Sequence, residues 1–457
     1  MKRLREFWNS GFSSGQLLMF LVLVGGAAFV VWRMMPLLDR PETDGFEVRR
    51  IELLEQENER LRSLLRVQER EKTEAESQAA RRAIEKEVEE IRGLQFLEPV
   101  DYDVVTRETI RTTVENKISQ QYSDQDFENM ATGLASIGLL DEGFPLKQKY
   151  LDLLGEQIAA FYDQHEHKLY MFEDASLDQM QNRVILAHEL VHALQDQHFH
   201  LNKLPLDVKD NDDRAFAAAG LIEGEATMVM SEYMLKNFSL KDIRGTVVSM
   251  FGQNMEELGK APLYLREMLL FPYMRGQEFA MVLHAHEGYE GLSEAYAHPP
   301  ESTSQILHPE KFLASPREDP LRIVFPDTPP QAAKPVAKNT IGEAGMRILF
   351  TQWIDEETGK RVGSGWRGDR YATFRDDDGR VSVVWKSAWK GEKNAADYAE
   401  ALRGYVAKRY GEGASGRSIV IEAKGDGTVL FIDAASPEWA NTLRAYSEAN
   451  IPSSADT

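Results

Sequence analysis

Ala187-His-Glu-Leu-Val-His-Ala-Leu194 is the stretch on which the reading of this chain turns. His188 and His192 stand at i and i+4, so on a helix they share one face, one turn apart. Their ring nitrogens can then reach a single ion at about 2.0–2.1 Å each. Glu189 follows the first histidine, which projects its carboxylate beside such an ion and within reach of a water there. Zinc lowers the pKa of that water towards about 7, and the carboxylate accepts its proton as hydroxide attacks a carbonyl. The flanking Val184, Ile185, Leu186, Leu190, Val191 and Leu194 are those of a buried helix. Two satisfied histidines on a core helix are the plainer alternative.

A site of this kind needs a third protein ligand and leaves a fourth position open. His198 and His200 lie at the end of the same helix and read as surface or capping residues. The better source is Leu221-Ile-Glu-Gly-Glu-Ala-Thr227. Glu223 and Glu225 are two residues apart, about 200° around a helix, so only one of them can face the ion. Gly224 between them costs roughly 1 kcal/mol relative to Ala, but allows two helices to approach closely.

At these residues the chain resembles the gluzincin metallopeptidases, in which HExxH is followed downstream by a glutamate. The Glu223-Gly-Glu-Ala226 segment looks like the aminopeptidase pattern, which favours Glu223 over Glu225 as the ligand beside His188 and His192. The resemblance implies a zinc-dependent peptidase with Glu189 as its base and a His or Tyr from outside the motif steadying the oxyanion. His308, between an apolar pair and Pro309, is the candidate for that role, with His298 behind it. It also implies that the hairpin ending in Lys168–Phe172 is the sheet edge beside the cleft, where substrate backbone adds as a strand. Firm motif similarity covers residues 158–230. The phrases His188–His198 and Pro299–Pro309 together resemble a broader group of uncharacterised bacterial and archaeal HExxH proteins, membrane- or surface-associated. His284, His286 and Glu287 are split around a helix by their spacing, and His165 and His167 read as a polar turn.

Upstream, Lys2, Arg3 and Arg5 precede an apolar run from Leu17 to Trp32 that continues past Arg33 to Leu38. Residues 1–15 are expected in the cytoplasm and 16–38 as an uncleaved transmembrane anchor, with a cleaved signal peptide as the alternative. Residues 39–93 are expected as a helical stalk. Ile51, Leu54, Asn58, Leu61 and Leu65 form a heptad seam of the kind through which two copies pair, with a single solvated helix as the alternative, and Ile84, Val88 and Ile91 resume it out of phase. A mainly helical, zincin-like catalytic domain is expected over 94–315. Within it lie helices Arg107–Tyr122, Asp126–Leu140, a motif helix capped by Ser176 and Gln179, and Arg214–Leu235 capped by Asp212 or Asp213. A proline-rich linker (316–339) and a small α+β domain (340–457) complete an α+β chain. In that last domain two hairpins turn at Asp376–Arg380 and Gly425–Gly427, and the glycine- and Trp-bearing Gly365–Tyr371 reads as a tight turn with an aromatic anchor.

Composition removes other classes. Lys and Arg number 53 against 74 Asp and Glu, a net charge of −21, a field that repels a phosphate backbone and argues against nucleic acid. There is no cysteine, hence no disulfide and no thiolate ligand. The expectation is a membrane-anchored zinc peptidase acting on extracytoplasmic proteins or peptides. A membrane-tethered scaffold or binding module with a structural or vestigial zinc site is the alternative, and hydrolysis of a non-peptide amide a third reading.

Overall fold

The computed structural model describes Arg60 and residues 75–157, 160–173, 175–243, 258–330, 333–411 and 416–448. The chain divides into two compact units, 1–78 and 79–457, and the fold below is that of the second. The expected cytoplasmic segment, the anchor at 16–38 and the heptad residues Ile51 to Leu65 lie outside the described residues.

The expected architecture needs correction. Among the described residues no helix is long and apolar enough to cross a membrane, so the expected transmembrane helix is no part of the described fold. Nor is it a helical domain beside a separate α+β domain. It is a mixed α/β unit with two sheets, and one hydrophobic core runs from Phe127, Leu134 and Ile137 through Tyr264 and Phe279 to Trp385, Tyr405 and Phe431. Sequence periodicity reports that a face is buried, not what buries it, so one shared core was read as two.

The second unit opens with helical residues 79–92 (α1). Ile84 and Val88, one turn apart, are fully buried against the motif helix and the smaller sheet. The end of the expected stalk is therefore part of the folded body. Strand β1 (Asp101–Val105) follows, then helices α2 (Arg107–Gln121), α3 (Asp124–Ser136) and α4 (Leu146–Gln157), then β2 (Ala160–Asp163) and β3 (Lys168–Phe172). The strand order is β1-β3-β2, with β1 parallel and β2 antiparallel to β3. Within this sheet β3 is central, so the edge that the hairpin offers is β2.

The motif helix α5 (Met180–Phe199) buries one apolar side through Val184, Leu186, Ala187, Leu190, Val191 and Leu194, and its other, polar side carries His188, Glu189 and His192. It starts without a side-chain cap, since Ser176 Oγ accepts from the amide of Asp178 instead. Helix α6 (Asp212–Asn237) is capped by Asn211, whose side chain accepts from the Arg214 amide. The long α7 (Leu263–Ala297) bends at Glu287 and Gly288 and crosses α6 in close contact. A Cβ on Gly224 would lie 2.2 Å from the backbone of Gly276, and one on Gly276 would lie 2.1 Å from the carbonyl oxygen of Gly220. The two helices touch through bare backbone.

Two short helices, α8 (Thr303–Leu307) and α9 (Pro309–Leu313), lead to strand β4 (Lys334–Asn339). The proline-rich stretch between them is packed rather than loose: Phe325 is buried against Phe374 and Tyr446, and the Tyr446 hydroxyl donates to Pro326 O at 2.8 Å. Helices α10 (Gly342–Trp353) and α11 (Glu356–Gly363), strands β5 (Trp366–Arg375) and β6 (Val381–Trp389), α12 (Glu392–Tyr410), β7 (Ser418–Ala423), β8 (Thr428–Ala434) and α13 (Pro437–Glu448) complete the unit. The antiparallel sheet, ordered β4-β5-β6-β8-β7, is covered on both faces. Val383, Trp385 and Phe431 meet Tyr398, Leu402 and Tyr405 of α12, while Val384, Leu430 and Ile432 meet Leu443 and Tyr446 of α13. Asp369 fastens the turn into α10, accepting from the Ile341 and Gly342 amides and from the indoles of Trp366 and Trp385.

Close passage of α6 and α7 makes one outcome specific. Replacing Gly224 by Ala gains about 1 kcal/mol of helix propensity but pushes the helices apart, and overpacking costs roughly 1–3 kcal/mol. Gly224→Ala is expected to lower the urea midpoint; a variant as stable as the parent would refute the backbone contact.

Candidate metal centre

Helix α5 presents His188, Glu189 and His192, and α6 brings a carboxylate to meet them. His188 Nε2 lies 3.1 Å from His192 Nε2 and 3.1 Å from Glu223 Oε2, and His192 Nε2 lies 3.4 Å from the same oxygen. The two rings stand edge to face with centroids 4.7 Å apart. His188, His192 and Glu223 are the one group of this kind among the described residues whose ligand atoms converge, within 4.8 Å of one another. Tetrahedral ligands about 2.0–2.1 Å from a zinc ion are about 3.4 Å from each other, so spacing and donor set fit that ion.

Glu223 and Glu225 are separated by their surroundings. Glu225 points the other way, fully buried, where it pairs with the guanidinium of Arg92 and accepts from Tyr296 Oη at 2.5 Å and Gln195 Nε2 at 2.8 Å. Glu223 keeps a quarter of its side chain exposed and its oxygen on the histidines. The Gln195 side chain, one turn beyond His192, sets Oε1 2.9 Å from His192 Nδ1. With Nδ1–H donated there, Nε2 carries the lone pair that a metal needs.

Glu189 is held from the neighbouring strand: the Tyr162 amide of β2 donates to its Oε2 at 2.8 Å. Burial raises its pKa, outweighing the nearby histidines. The Tyr162 hydroxyl donates to Asp196, which also meets His167 Nδ1 at 2.7 Å, so strand edge and motif helix are clasped together. That places His167 in a clasp as well as in the expected turn.

His308 is not brought to this site. Its Nε2 lies 2.8 Å from Glu343 Oε1, with Arg347 Nη2 at 3.0 Å, at the junction of α8, α9 and α10. The apolar residues around it enclose this cluster with the buried Glu343, so the candidate expected for the oxyanion does not join the converging trio. His298 ends α7, its carbonyl accepting from Arg317. His198 Nε2 lies 2.8 Å from Gln95 O and His200 caps α5 in the left-handed region. His286 meets Glu287 and His284 meets the Tyr289 ring, away from the converging trio.

The residue missed from the sequence is Tyr273. It is 42% exposed; its ring stacks on His188 with centroids 6.2 Å apart, and the negative charge of Glu223, with that of Glu189 behind it, pushes its pKa well up, so it remains a donor. A small cavity beside His192 and Glu223 is lined by Tyr162 and by the apolar Leu201, Leu206, Ala219 and Ile222.

Comparison with known proteins adds one match. Residues 331–438 match a family described as a domain of unknown function (DUF8575), a stretch that excludes every residue of the trio. No curated protein and no solved structure matches the chain.

In the metal-free chain a proton takes the place of an ion. Burial lowers the pKa of His192, but the carboxylate of Glu223 more than offsets this, and it is pushed up to about 9. The group's contribution to stability is therefore fully present below about 6.5, its ordinary value, and is lost as pH rises through about 9. An ion must displace that proton, so zinc affinity is expected to tighten about tenfold per pH unit between about pH 7 and 8.5. A flat profile in a competition titration would show that His192 is no ligand.

Proposed function

We propose that the chain is a zinc-dependent peptidase of gluzincin-like design, hydrolysing peptide bonds with a water activated by Glu189. The observation that carries the reading is the meeting of His188 Nε2, His192 Nε2 and Glu223 Oε2 at 3.1–3.4 Å beside a carboxylate fixed by a strand amide. His188, His192 and Glu223 would hold the ion. Zinc supplies Lewis acidity towards a water and a substrate carbonyl.

The chain's own groups do the rest. With Glu189 Oε2 occupied by the Tyr162 amide, Oε1 is free to take a proton from the attacking water. As the new C–O bond forms and the C–N bond breaks, the same proton passes to the leaving amine. The raised proton affinity of Glu189 suits a group that must hold that proton between the two steps. Tyr273 donates its hydroxyl hydrogen to the oxygen that gains charge. Because the Tyr162 amide points away from β3, the alternation of a strand turns the polar backbone of Ala160 the same way. An extended peptide can pair along β2, with an apolar side chain in the cavity lined by Leu201, Leu206 and Ile222.

Two variants test this on a quenched fluorogenic peptide library. Glu189→Gln is expected to retain zinc and lose about 10²–10⁴-fold in turnover. Tyr273→Phe is expected to lose about 10²–10³-fold in kcat with little change in KM. Full cleavage by Glu189→Gln, or cleavage that survives zinc removal by a chelator, would end the proposal. A parent that binds zinc tightly and cleaves nothing would mark the ion as structural.

A further inference from the structure

We infer that Arg92, on α1, is a positioning residue for His192, acting through Glu225 and Gln195; the inference rests on the zinc reading above and extends it to the helix that precedes the small sheet. Arg92 is 2% exposed, Glu225 0% and Gln195 1%. Arg92 Nε pairs with Glu225, its Nη2 donates to Ser293 Oγ at 2.9 Å and its Nη1 to Tyr289 O at 3.4 Å. Its guanidinium also lies over the Tyr289 and Phe199 rings, 4.9 and 5.8 Å from their centroids. An arginine so enclosed has a single orientation.

The argument concerns which way an amide faces. Gln195 Nε2 spends its two hydrogens on Glu225 Oε2 at 2.8 Å and Ile222 O at 3.0 Å. Both are acceptors only, so the amide nitrogen must face them and Oε1 must face His192 Nδ1. His192 then carries its hydrogen on Nδ1 and directs the lone pair of Nε2 at the ion site. A flipped amide would donate to Nδ1 and move that hydrogen to Nε2, where it blocks coordination. Glu225 is the stronger of the two acceptors that hold the amide in place, and Arg92 balances its charge in an interior that does not tolerate a lone carboxylate.

The test is zinc affinity of the full chain, read by competition with a chromophoric chelator, with far-UV circular dichroism to confirm folding. Gln195→Met removes both ends of the amide and is expected to weaken zinc binding about 10–100-fold. Arg92→Met with Glu225→Leu removes both charges together, leaves the interior neutral, and is expected to weaken it to the same degree. Adding Gln195→Met to that pair is expected to cost nothing further, because all three substitutions break one chain of contacts. Zinc affinity within twofold of the parent in either the single or the paired variant would overturn the inference. So would fully additive losses, which would make Arg92 merely structural. A parent that binds no zinc would instead defeat the metal reading itself.

Discussion

Two imidazole nitrogens and a carboxylate oxygen face one another at 3.1–3.4 Å between α5 and α6. Three lone-pair donors at that spacing repel unless something positive lies among them. In the bare chain that is a proton, held by His192 more strongly than an ordinary histidine holds one. The rest of the second unit maintains this pressure. Apolar side chains bury the side of α5 away from the site, and the backbone contact of Gly220 and Gly224 with Gly276 sets how α6 runs.

The C-terminal sheet takes part at a distance. Asp213, at the first turn of α6, accepts from the Thr303 amide at 2.9 Å and sits where a Cβ on Gly342 would have to lie. Gly342 has φ +68°, a conformation that glycine adopts at no steric cost. The helix that supplies Glu223 is thus seated on the turn that opens α10, inside the stretch that matches DUF8575. The region whose family match is anonymous is the footing of the region whose chemistry can be read.

What the sequence disclosed follows the range of the forces involved. His188, Glu189 and His192 were legible because helix geometry alone puts them on one face. Glu223 could not be separated from Glu225 by geometry, since the difference lies in Arg92 and Tyr296, which meet Glu225 from 133 and 71 residues away. Tyr273 was hidden in an apolar run, Phe271-Pro272-Tyr273-Met274, that reads as core. His308 lies elsewhere for the converse reason: apolar neighbours look the same around a catalytic histidine and around one that meets a buried Glu343. Ile84 and Val88 carried the right signal, a stripe one helical turn in spacing, but their partners on α5 are a hundred residues downstream.

The length of chain over which Arg92, Gln195, Glu225 and Tyr296 are distributed has a temporal side. A ribosome adding roughly 5–20 residues per second delivers His192 some 5–20 s before Tyr296, so the donor atoms are born well before the framework that orients them. During that interval soft and hard ions compete on intrinsic affinity, an order in which copper outranks zinc. On the proposed zinc reading, loading would then depend on which ion the surrounding compartment keeps abundant before the long bent helix is complete.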